Sequence, residues 1–182
     1  MDRSKVPTVL SIAGSDSSGG AGIQADIKTI TAHRLYAETA ITAITAQNTL
    51  GVTAVQDISP DIVAAQIDAV FDDIRPSAVK IGMVSSVEII DVIADRLSAW
   101  NATNVVVDPV MVATSGARLI AEDAAEALTR RLFPLATVIT PNIPEAMALL
   151  DYEVDSERTQ QNAAMLLTRR FGCCLLYTSD AA

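Results

Sequence analysis

Short apolar runs alternate with longer stretches of helical periodicity along most of the 182 residues. Strands are predicted at residues 8–12, 38–45, 78–81, 104–108 and 137–140, and a sixth is expected near Cys173. Strands that alternate with helical segments are typical of βαβ units, in which the strands are parallel. Several of the runs have no polar break, which is typical of strands covered on both faces. The sequence therefore predicts an α/β fold with a mostly parallel central sheet and helices on both faces.

The segments between these runs carry helix signals. Pro60 follows Ser59 as the first residue of a helix whose apolar residues recur at helical spacing. Ser85 and Glu88 fit a capping box that opens the next helix. Further helices are predicted at 121–133, 143–150 and 156–171. Since the sequence has neither an internal repeat nor a linker-like tract, it predicts a single domain.

Charge and composition limit the classes of molecule that this chain could bind. The chain has 13 lysines and arginines against 22 aspartates and glutamates, a formal net charge of -9. This balance opposes the phosphate neutralisation that nucleic-acid binding requires. Because no apolar run reaches the ~18 residues that span a bilayer, we expect a cytoplasmic protein without a membrane partner. One histidine and the adjacent Cys173 and Cys174 cannot form a Cys/His metal site in one copy of the chain. The sequence leaves open whether the chain forms a homo-oligomer.

The glycine-rich stretch AGSDSSGGAGIQAD, residues 13–26, lies between the first predicted strand and a helix. Ligands of open α/β sheets bind at such strand ends, and glycines there allow close backbone approach. The stretch lacks the Gly-Lys-Ser/Thr of a P-loop and the glycine spacing of a dinucleotide site. Asp16 and Asp26 would repel a pyrophosphate, so the loop suits a ligand that offers hydrogen-bond donors. The alternative is a plain strand-to-helix turn with Asp26 on a solvated helix face.

Four further segments follow predicted strands, and in a parallel sheet they meet at one edge: TAQNT at 45–49, KIGM at 80–83, DPVM at 108–111 and TPNIPE at 140–145. The amide of Gln47 can donate and accept together, which suits the edge of a heteroaromatic ring. The thioether of Met83 offers a soft surface for an aromatic face. The alternatives are a loop-capping amide and a core residue.

Three polar residues suggest a phosphate or metal side of the same edge. Asp108 ends a run of valines, where a carboxylate needs a partner or a metal ion. Asn142 and Glu145 are three residues apart near a helix start and could hold a hydrated Mg²⁺ beside nucleotide phosphates. The alternatives are a cap on the loop around residues 114–116 for Asp108, and N-terminal helix capping for Asn142 and Glu145.

In this order and spacing, the five motifs resemble those of the hydroxymethylpyrimidine/phosphomethylpyrimidine kinases of thiamine biosynthesis, within the ribokinase-like superfamily, over about residues 7–172. The resemblance implies a ribokinase-like fold and ATP- and Mg²⁺-dependent phosphorylation of 4-amino-5-hydroxymethyl-2-methylpyrimidine and then of its monophosphate. It also implies roles for individual residues. Those of the pyrimidine pocket are Gly14, Ala21, Asp26, Gln47 and Met83; those of the nucleotide and phosphate side are Asp108 and Asn142; those of the metal are Glu145 and Asp108.

The family's later glycine-rich loop of GTGC type, which carries the anion hole and the catalytic base, is not found in this sequence. We therefore expect residues 1–172 to be the N-terminal part of a kinase domain, residues 173–182 to be a non-native or divergent tail, and this chain alone to be nearly inactive. The alternatives are a pyridoxal or pyridoxine kinase of the same superfamily and a non-catalytic pyrimidine-binding module. A nicotinamide-dependent oxidoreductase is disfavoured by the glycine spacing.

Overall fold

A computed structural model describes residues 6–111 and 120–175. Its strands are β1 (Thr8–Asp16), β2 (Tyr36–Asn48), β3 (Gly51–Asp57), β4 (Ala78–Ile81), β5 (Val105–Val107), β6 (Val138–Ile139) and β7 (Cys174–Leu175). They form one sheet in the order β3-β2-β1-β4-β5-β6-β7. Every neighbouring pair is parallel except β2 and β3, which are antiparallel. The predicted α/β class and the strand expected near Cys173 are confirmed.

The helices are α1 (Gly22–Ala32), α2 (Pro60–Asp73), α3 (Val87–Ala99), α4 (Glu122–Ala127), α5 (Ile143–Leu150) and α6 (Glu157–Phe171). The helix predicted at 121–133 is thus only partly an α-helix, because a π-helical turn at Leu128–Leu132 and a 3₁₀ turn at Phe133–Leu135 follow α4. Of the helices in the described part of the chain, none is long and apolar enough to cross a membrane.

Alternation along β1 separates an apolar face from a polar one. Leu10 and Ile12 are fully buried and pack in the same core cluster as Ile67 of α2 and Ile93 of α3. Burial of each such side chain contributes about 1.5–3 kcal/mol relative to exposure. Between them, Ser11 points to the opposite face, where α1 lies, and it is also fully buried. The centre of the sheet is therefore covered on both faces, as the apolar runs predict.

The capping box predicted from Ser85 and Glu88 is wrong. Helix α3 begins one residue later, with Ser86 as its N-cap, whose hydroxyl accepts a bond from the amide of Ile89 at 3.3 Å. Ser85 instead donates its hydroxyl to a carboxylate oxygen of Asp57, at the end of β3, at 2.7 Å. Two adjacent serines offer equally good caps, and the contact with β3 decides between them.

The hairpin of β2 and β3 was not predicted. β2 runs on to Asn48, and β3 returns antiparallel to it from Gly51. Every residue of β3 is exposed, including Val52 and Val55, so this edge strand carries no burial pattern that a sequence could display. As a consequence, the segment TAQNT lies in a strand and its hairpin turn rather than in a loop after the strand.

Candidate functional site

The loop after β1 meets the segment after β4 at the carboxyl edge of the sheet. Met83 Cε lies 3.3 Å from the point at which a Cβ on Gly14 would stand. The backbone of Met83 is held by Thr42 of β2, whose hydroxyl donates to its carbonyl at 2.9 Å. The structure therefore brings together two of the residues predicted for the pyrimidine pocket, in a contact that leaves little room for a larger side chain at Gly14.

Gly22, at the start of α1, lets the loop fold back on β1. Its φ is +57°, and a Cβ at this position would lie 2.2 Å from the carbonyl oxygen of Gly14. Non-bonded atoms do not approach so closely, so only glycine fits here. A single residue, Gly22, therefore allows the loop to approach β1 closely.

Asp16 fills the anion-binding position of its own loop. Its carboxylate accepts bonds from the amides of Ser18, Gly20 and Ala21 and from the hydroxyl of Ser18, at 2.8–3.0 Å. Burial raises the pKa of Asp16, but the bonds from Ser18, Ala21 and Gly20 outweigh it, so that the pKa lies below its usual value. Because an internal carboxylate occupies these amides, the loop is not an open phosphate cradle.

From the sequence, Asp16 is predicted only as a charge that repels phosphate and suits a ligand with hydrogen-bond donors. An aspartate two residues before a serine and four before a glycine is the pattern of an Asx turn, which could have indicated the role that the structure gives it. Gln24 of α1 completes the loop: its side-chain oxygen accepts from the amide of Asp16 at 2.9 Å, and its amide nitrogen donates to Ser15 at 2.7 Å.

Gln47 is joined to the loop through Ser17. The hydroxyl of Ser17 donates to the carbonyl of Gln47 at 2.7 Å and accepts from its amide at 2.8 Å. The side-chain oxygen of Gln47 lies 3.1 Å from the hydroxyl of Thr45. Gln47 is half-buried, whereas Ala21, also predicted for the pocket, is exposed at the mouth of the loop. The hairpin and the loop thus form one wall of the site.

Asp26 faces the sheet rather than solvent. One of its carboxylate oxygens, Oδ2, accepts from the hydroxyl of Ser11 at 2.6 Å and from the ammonium of Lys80 at 3.0 Å. Its side chain is 19% exposed. The sequence named Lys80 only as the first residue of the segment KIGM. A lysine in a strand between buried apolar neighbours was the signal that could have singled it out.

The pKa of Asp108, at the end of β5, depends on the charges of both Lys80 and Asp26. Burial raises the pKa of its carboxyl, while the positive charge of Lys80 and a hydrogen bond with the Thr140 side chain lower it and the Asp26 carboxylate raises it, so that the net pKa is above its usual value. Asp26, Lys80 and Asp108 therefore form one charge cluster across the middle of the edge. The segment at 114–116 that was a candidate cap for Asp108 lies outside the described residues.

Asn142 and Glu145 are brought together as a capping box. The side chain of Asn142 accepts from the amide of Glu145 at 2.9 Å, and Glu145 Oε2 accepts from the amide of Asn142 at 3.0 Å. The other oxygen of Glu145 accepts from the amide of Met111 at 3.1 Å, which ties the loop after β5 to α5. Both carboxylate oxygens of this buried residue are thus engaged with backbone.

The residues that the structure describes hold no group of three or more histidine, cysteine, aspartate or glutamate side chains that could bind a metal ion. Mg²⁺ usually keeps several of its waters and needs only one or two carboxylates. The predicted metal roles of Asp108 and Glu145 therefore stay predictions. Among residues 6–111 and 120–175, backbone amides bind both carboxylate oxygens of Glu145, whereas the carboxyl of Asp108 bonds to the side chain of Thr140.

Comparisons with known proteins agree with this geometry. The family model described as phosphomethylpyrimidine kinase matches residues 16–178. The hydroxymethylpyrimidine/phosphomethylpyrimidine kinase of Rhizobium meliloti is 55% identical over 162 residues, which cover 87% of this chain and 60% of the relative. The enzyme of the same name from Escherichia coli is 48% identical over 160 residues, with 86% and 60% covered. This chain thus spans about 60% of the length of these curated relatives.

Solved structures show the same fold. The phosphomethylpyrimidine kinase of Clostridium difficile superposes with a TM-score of 0.89 at 46% identity, covering 97% of this chain and 78% of that one. The pyridoxal kinase of Bacillus subtilis, solved as an ADP complex, has a TM-score of 0.86 at 38% identity, with 97% and 67% covered. The predicted ribokinase-like architecture is confirmed by these neighbours. The chain belongs to the phosphomethylpyrimidine kinase family.

Proposed function

We propose that this chain carries the substrate pocket of a kinase that transfers a phosphoryl group from ATP to 4-amino-5-hydroxymethyl-2-methylpyrimidine and then to its monophosphate, in thiamine biosynthesis. Family membership and the names of the relatives support this activity. Residues 1–172 would be the kinase domain and 173–182 a divergent tail, although the family match continues to residue 178. The protein would act in the cytoplasm on a small molecule, without nucleic acid.

The observation that carries the proposal is the meeting of the 13–26 loop, Gln47 and Met83 at one edge of the sheet. A flat ring with an amino group would find a soft apolar surface in Met83, an amide in Gln47 and a carboxylate acceptor in Asp26. Gly14 would let the backbone approach the ring closely. Since Asp16 already fills the loop amides, phosphates would bind farther along the edge, toward Asp108 and Asn142.

ATP is the phosphoryl donor in this proposal, in keeping with relatives that were solved with ADP or with AMP-PCP. Asp108 fits a hydrated Mg²⁺ better than Glu145 does, because both oxygens of Glu145 hold backbone amides. When bound, Mg²⁺ would neutralise phosphate charge. Glu145 would serve the site by fixing the loop that carries Asp108 against the start of α5.

The test uses this chain and an extended form, in which residues 1–172 are joined to the remaining C-terminal part of the Rhizobium meliloti relative. ATP consumption is measured with the aminopyrimidine in the extended form, and binding of the aminopyrimidine to the 182-residue chain is measured by calorimetry. We expect turnover in the first and binding in the second. Binding without turnover in the extended form would instead favour a non-catalytic pyrimidine-binding module.

A pyridoxal kinase is the second candidate, because pyridoxal kinases of Bacillus subtilis and Staphylococcus aureus are among the structural neighbours. Pyridoxal is also a heteroaromatic ring with a hydroxymethyl group, but it lacks the ring amino group that Asp26 would accept. Parallel assays of the extended form with the two substrates decide between them. Faster turnover of pyridoxal than of the aminopyrimidine would replace our proposal by this one.

A further inference from the structure

Lys80 occupies a place in the sheet that is unusual for a lysine. It lies in β4 between Val79 and Ile81, both buried, and only 28% of its side chain is exposed. In the parallel register, Lys80 stands beside Ser11 of β1 and on the same face. A charged group in such surroundings costs free energy unless it is paired. The groups that pair with its ammonium therefore indicate the role of Lys80.

The partner of Lys80 is a single oxygen of Asp26. Oδ2 of Asp26 lies 3.0 Å from the ammonium of Lys80 and 2.6 Å from the hydroxyl of Ser11, whose side chain is fully buried. Two donors on one oxygen fix the rotation of the carboxyl group. Within the described residues, both of these hydrogen bonds end on Oδ2 and neither ends on Oδ1.

Gly82 supplies independent evidence that the position of the ammonium is built into the fold. A Cβ at Gly82 would lie 2.8 Å from Lys80 Nζ and 3.1 Å from the Cβ of Ala13. The φ of Gly82 is not in the left-handed region, so the backbone there does not demand glycine. The missing side chain instead leaves the space in which the ammonium of Lys80 stands.

The charge of Lys80 also serves two carboxylates at once. Asp26 is ion-paired with it, and Asp108 is stabilised by it against burial and against the negative charge of Asp26. Two carboxylates that face one edge repel each other unless a cation stands between them. The positive charge of Lys80 therefore reduces the repulsion between the Asp26 carboxylate on the substrate side and the Asp108 carboxylate on the phosphate side.

We propose that Lys80 is a positioning residue for substrate recognition: together with Ser11 it holds Oδ2 of Asp26, so that Oδ1 is presented to the amino group of the ring. This inference rests on the proposed function. An amino group donates to Oδ1, whereas an oxo group at the same ring position would place its lone pairs against the carboxylate. A fixed carboxylate therefore discriminates between the two rings, and a carboxylate free to turn discriminates less.

The experiment compares the affinities of the extended form for 4-amino-5-hydroxymethyl-2-methylpyrimidine and for its 4-oxo counterpart, by calorimetry, and adds steady-state kinetics with the amino compound. Lys80→Met removes the charge and keeps the length of the side chain, and Lys80→Arg keeps the charge. Lys28→Met is the matched control, because Lys28 lies on α1 and donates to the carbonyl of Gly19 instead of to Asp26.

We expect Lys80→Met to lower the preference for the amino ring by about tenfold, since one charge-assisted contact is lost. The KM for the pyrimidine should rise more than kcat falls, and Lys80→Arg should restore most of the preference. Lys28→Met should leave it within about twofold. If Lys80→Met does not fold, Gly82→Ala displaces the ammonium instead and should lower the preference in the same direction.

An unchanged preference in Lys80→Met or Gly82→Ala, or an equal loss of affinity for both rings, would overturn the positioning role and leave the proposed function intact. Failure of the unsubstituted extended form to bind either ring would overturn the proposed function, and the inference with it. If Lys80→Arg keeps the preference for the amino ring and Lys80→Met loses it, the preference depends on the charge at this position and not on packing alone.

Discussion

The loop before α1 and the start of α5 both follow a strand of the sheet, and both use an acidic side chain to bind backbone amides. Asp16 binds the amides of its own loop, within five residues along the chain. Glu145 binds the amide of Asn142 and that of Met111, which lies 34 residues away. The first acid shapes a loop, and the second joins two segments of the edge. The acids left to face a ligand are those between them, Asp26 and Asp108.

The largest expected effect comes from Gly22, which allows the loop to close. Gly22→Ala places a Cβ 2.2 Å from the carbonyl oxygen of Gly14 at a φ of +57°. We expect a loss of about 3 kcal/mol in the free energy of unfolding, measured with urea. Gly172→Ala is the matched control, because Gly172 has a φ of +67° but no atom of the described residues within 4 Å of its Cβ position. It should cost about 1 kcal/mol; equal losses would mean that strain alone, and not contact with Gly14, explains Gly22.

The next effect tests the joining role of Glu145. Glu145→Gln keeps the volume but turns a nitrogen donor toward the amide of Asn142 or of Met111. We expect a loss of about 2 kcal/mol in the free energy of unfolding, because two donors then face each other in a buried place. Asp16→Asn makes the same change in a loop with exposed neighbours and should cost less. A larger loss from Asp16→Asn would reverse the contrast between the two acids.

These two regions also differ in how far the sequence predicts them. The spacing of Asn142 and Glu145 predicts that both lie at one helix start, and the structure confirms that they bond to each other there. The pairing of Lys80 with Asp26 and the choice of Ser86 over Ser85 depend on distant segments, which a local pattern does not contain. The bonds of Asp16 lie within five residues of it, and the serine and glycine that follow could have indicated them. The antiparallel strand β3 could not be predicted for a different reason: all of its residues are exposed, so its sequence shows no alternation of buried and exposed positions. Chain-local signals give the βαβ order, and long-range polar contacts complete the site.

Glu38, in the first half of β2, sharpens the comparison because no donor among the described residues reaches one oxygen of its buried carboxyl. It is 9% exposed, and its Oε2 has no hydrogen-bond partner within the described structure. Burial, and then the negative charge of Asp73, raises the pKa of Glu38 from 4.5 to about 7. The folded state therefore binds the proton more tightly than the unfolded state, and the free energy of unfolding falls as the pH rises from about 4.5 to 7.

Glu38→Gln removes this dependence. We expect the variant to be more stable than the parent by about 1–3 kcal/mol at pH 8 and to show little gain at pH 4, where the parent carboxyl is protonated in both states. Urea unfolding of the two proteins at both pH values measures the difference, and other titrating groups cancel. A gain of the same size at pH 4 and at pH 8 would show that the amide improves packing and that the carboxyl is not the cause.

The smallest of these effects is one on ligand affinity, and it comes from Asp26. Asp26→Ala removes the acceptor predicted for the amino group and leaves the pocket wall of Gly14 and Met83 in place. We expect the affinity for the pyrimidine to fall by about tenfold and that for ATP to change by less than about threefold in the extended form. Glu153→Ala, which removes one negative charge from an exposed loop, is the control for net charge.

The loss of Asp26 also leaves the ammonium of Lys80 without its ion-pair partner, next to Asp108. That ammonium can then attract phosphate or turn toward Asp108, so part of any change in ATP affinity belongs to the unpaired cation. The double variant Asp26→Ala with Lys80→Met removes both charges and isolates the contact with the ring. If the double variant still binds the pyrimidine tenfold more weakly and ATP as tightly as the parent, Asp26 belongs to the substrate side. Equal losses for the two ligands would place the loop on the phosphate side, although Asp16 already occupies its amides.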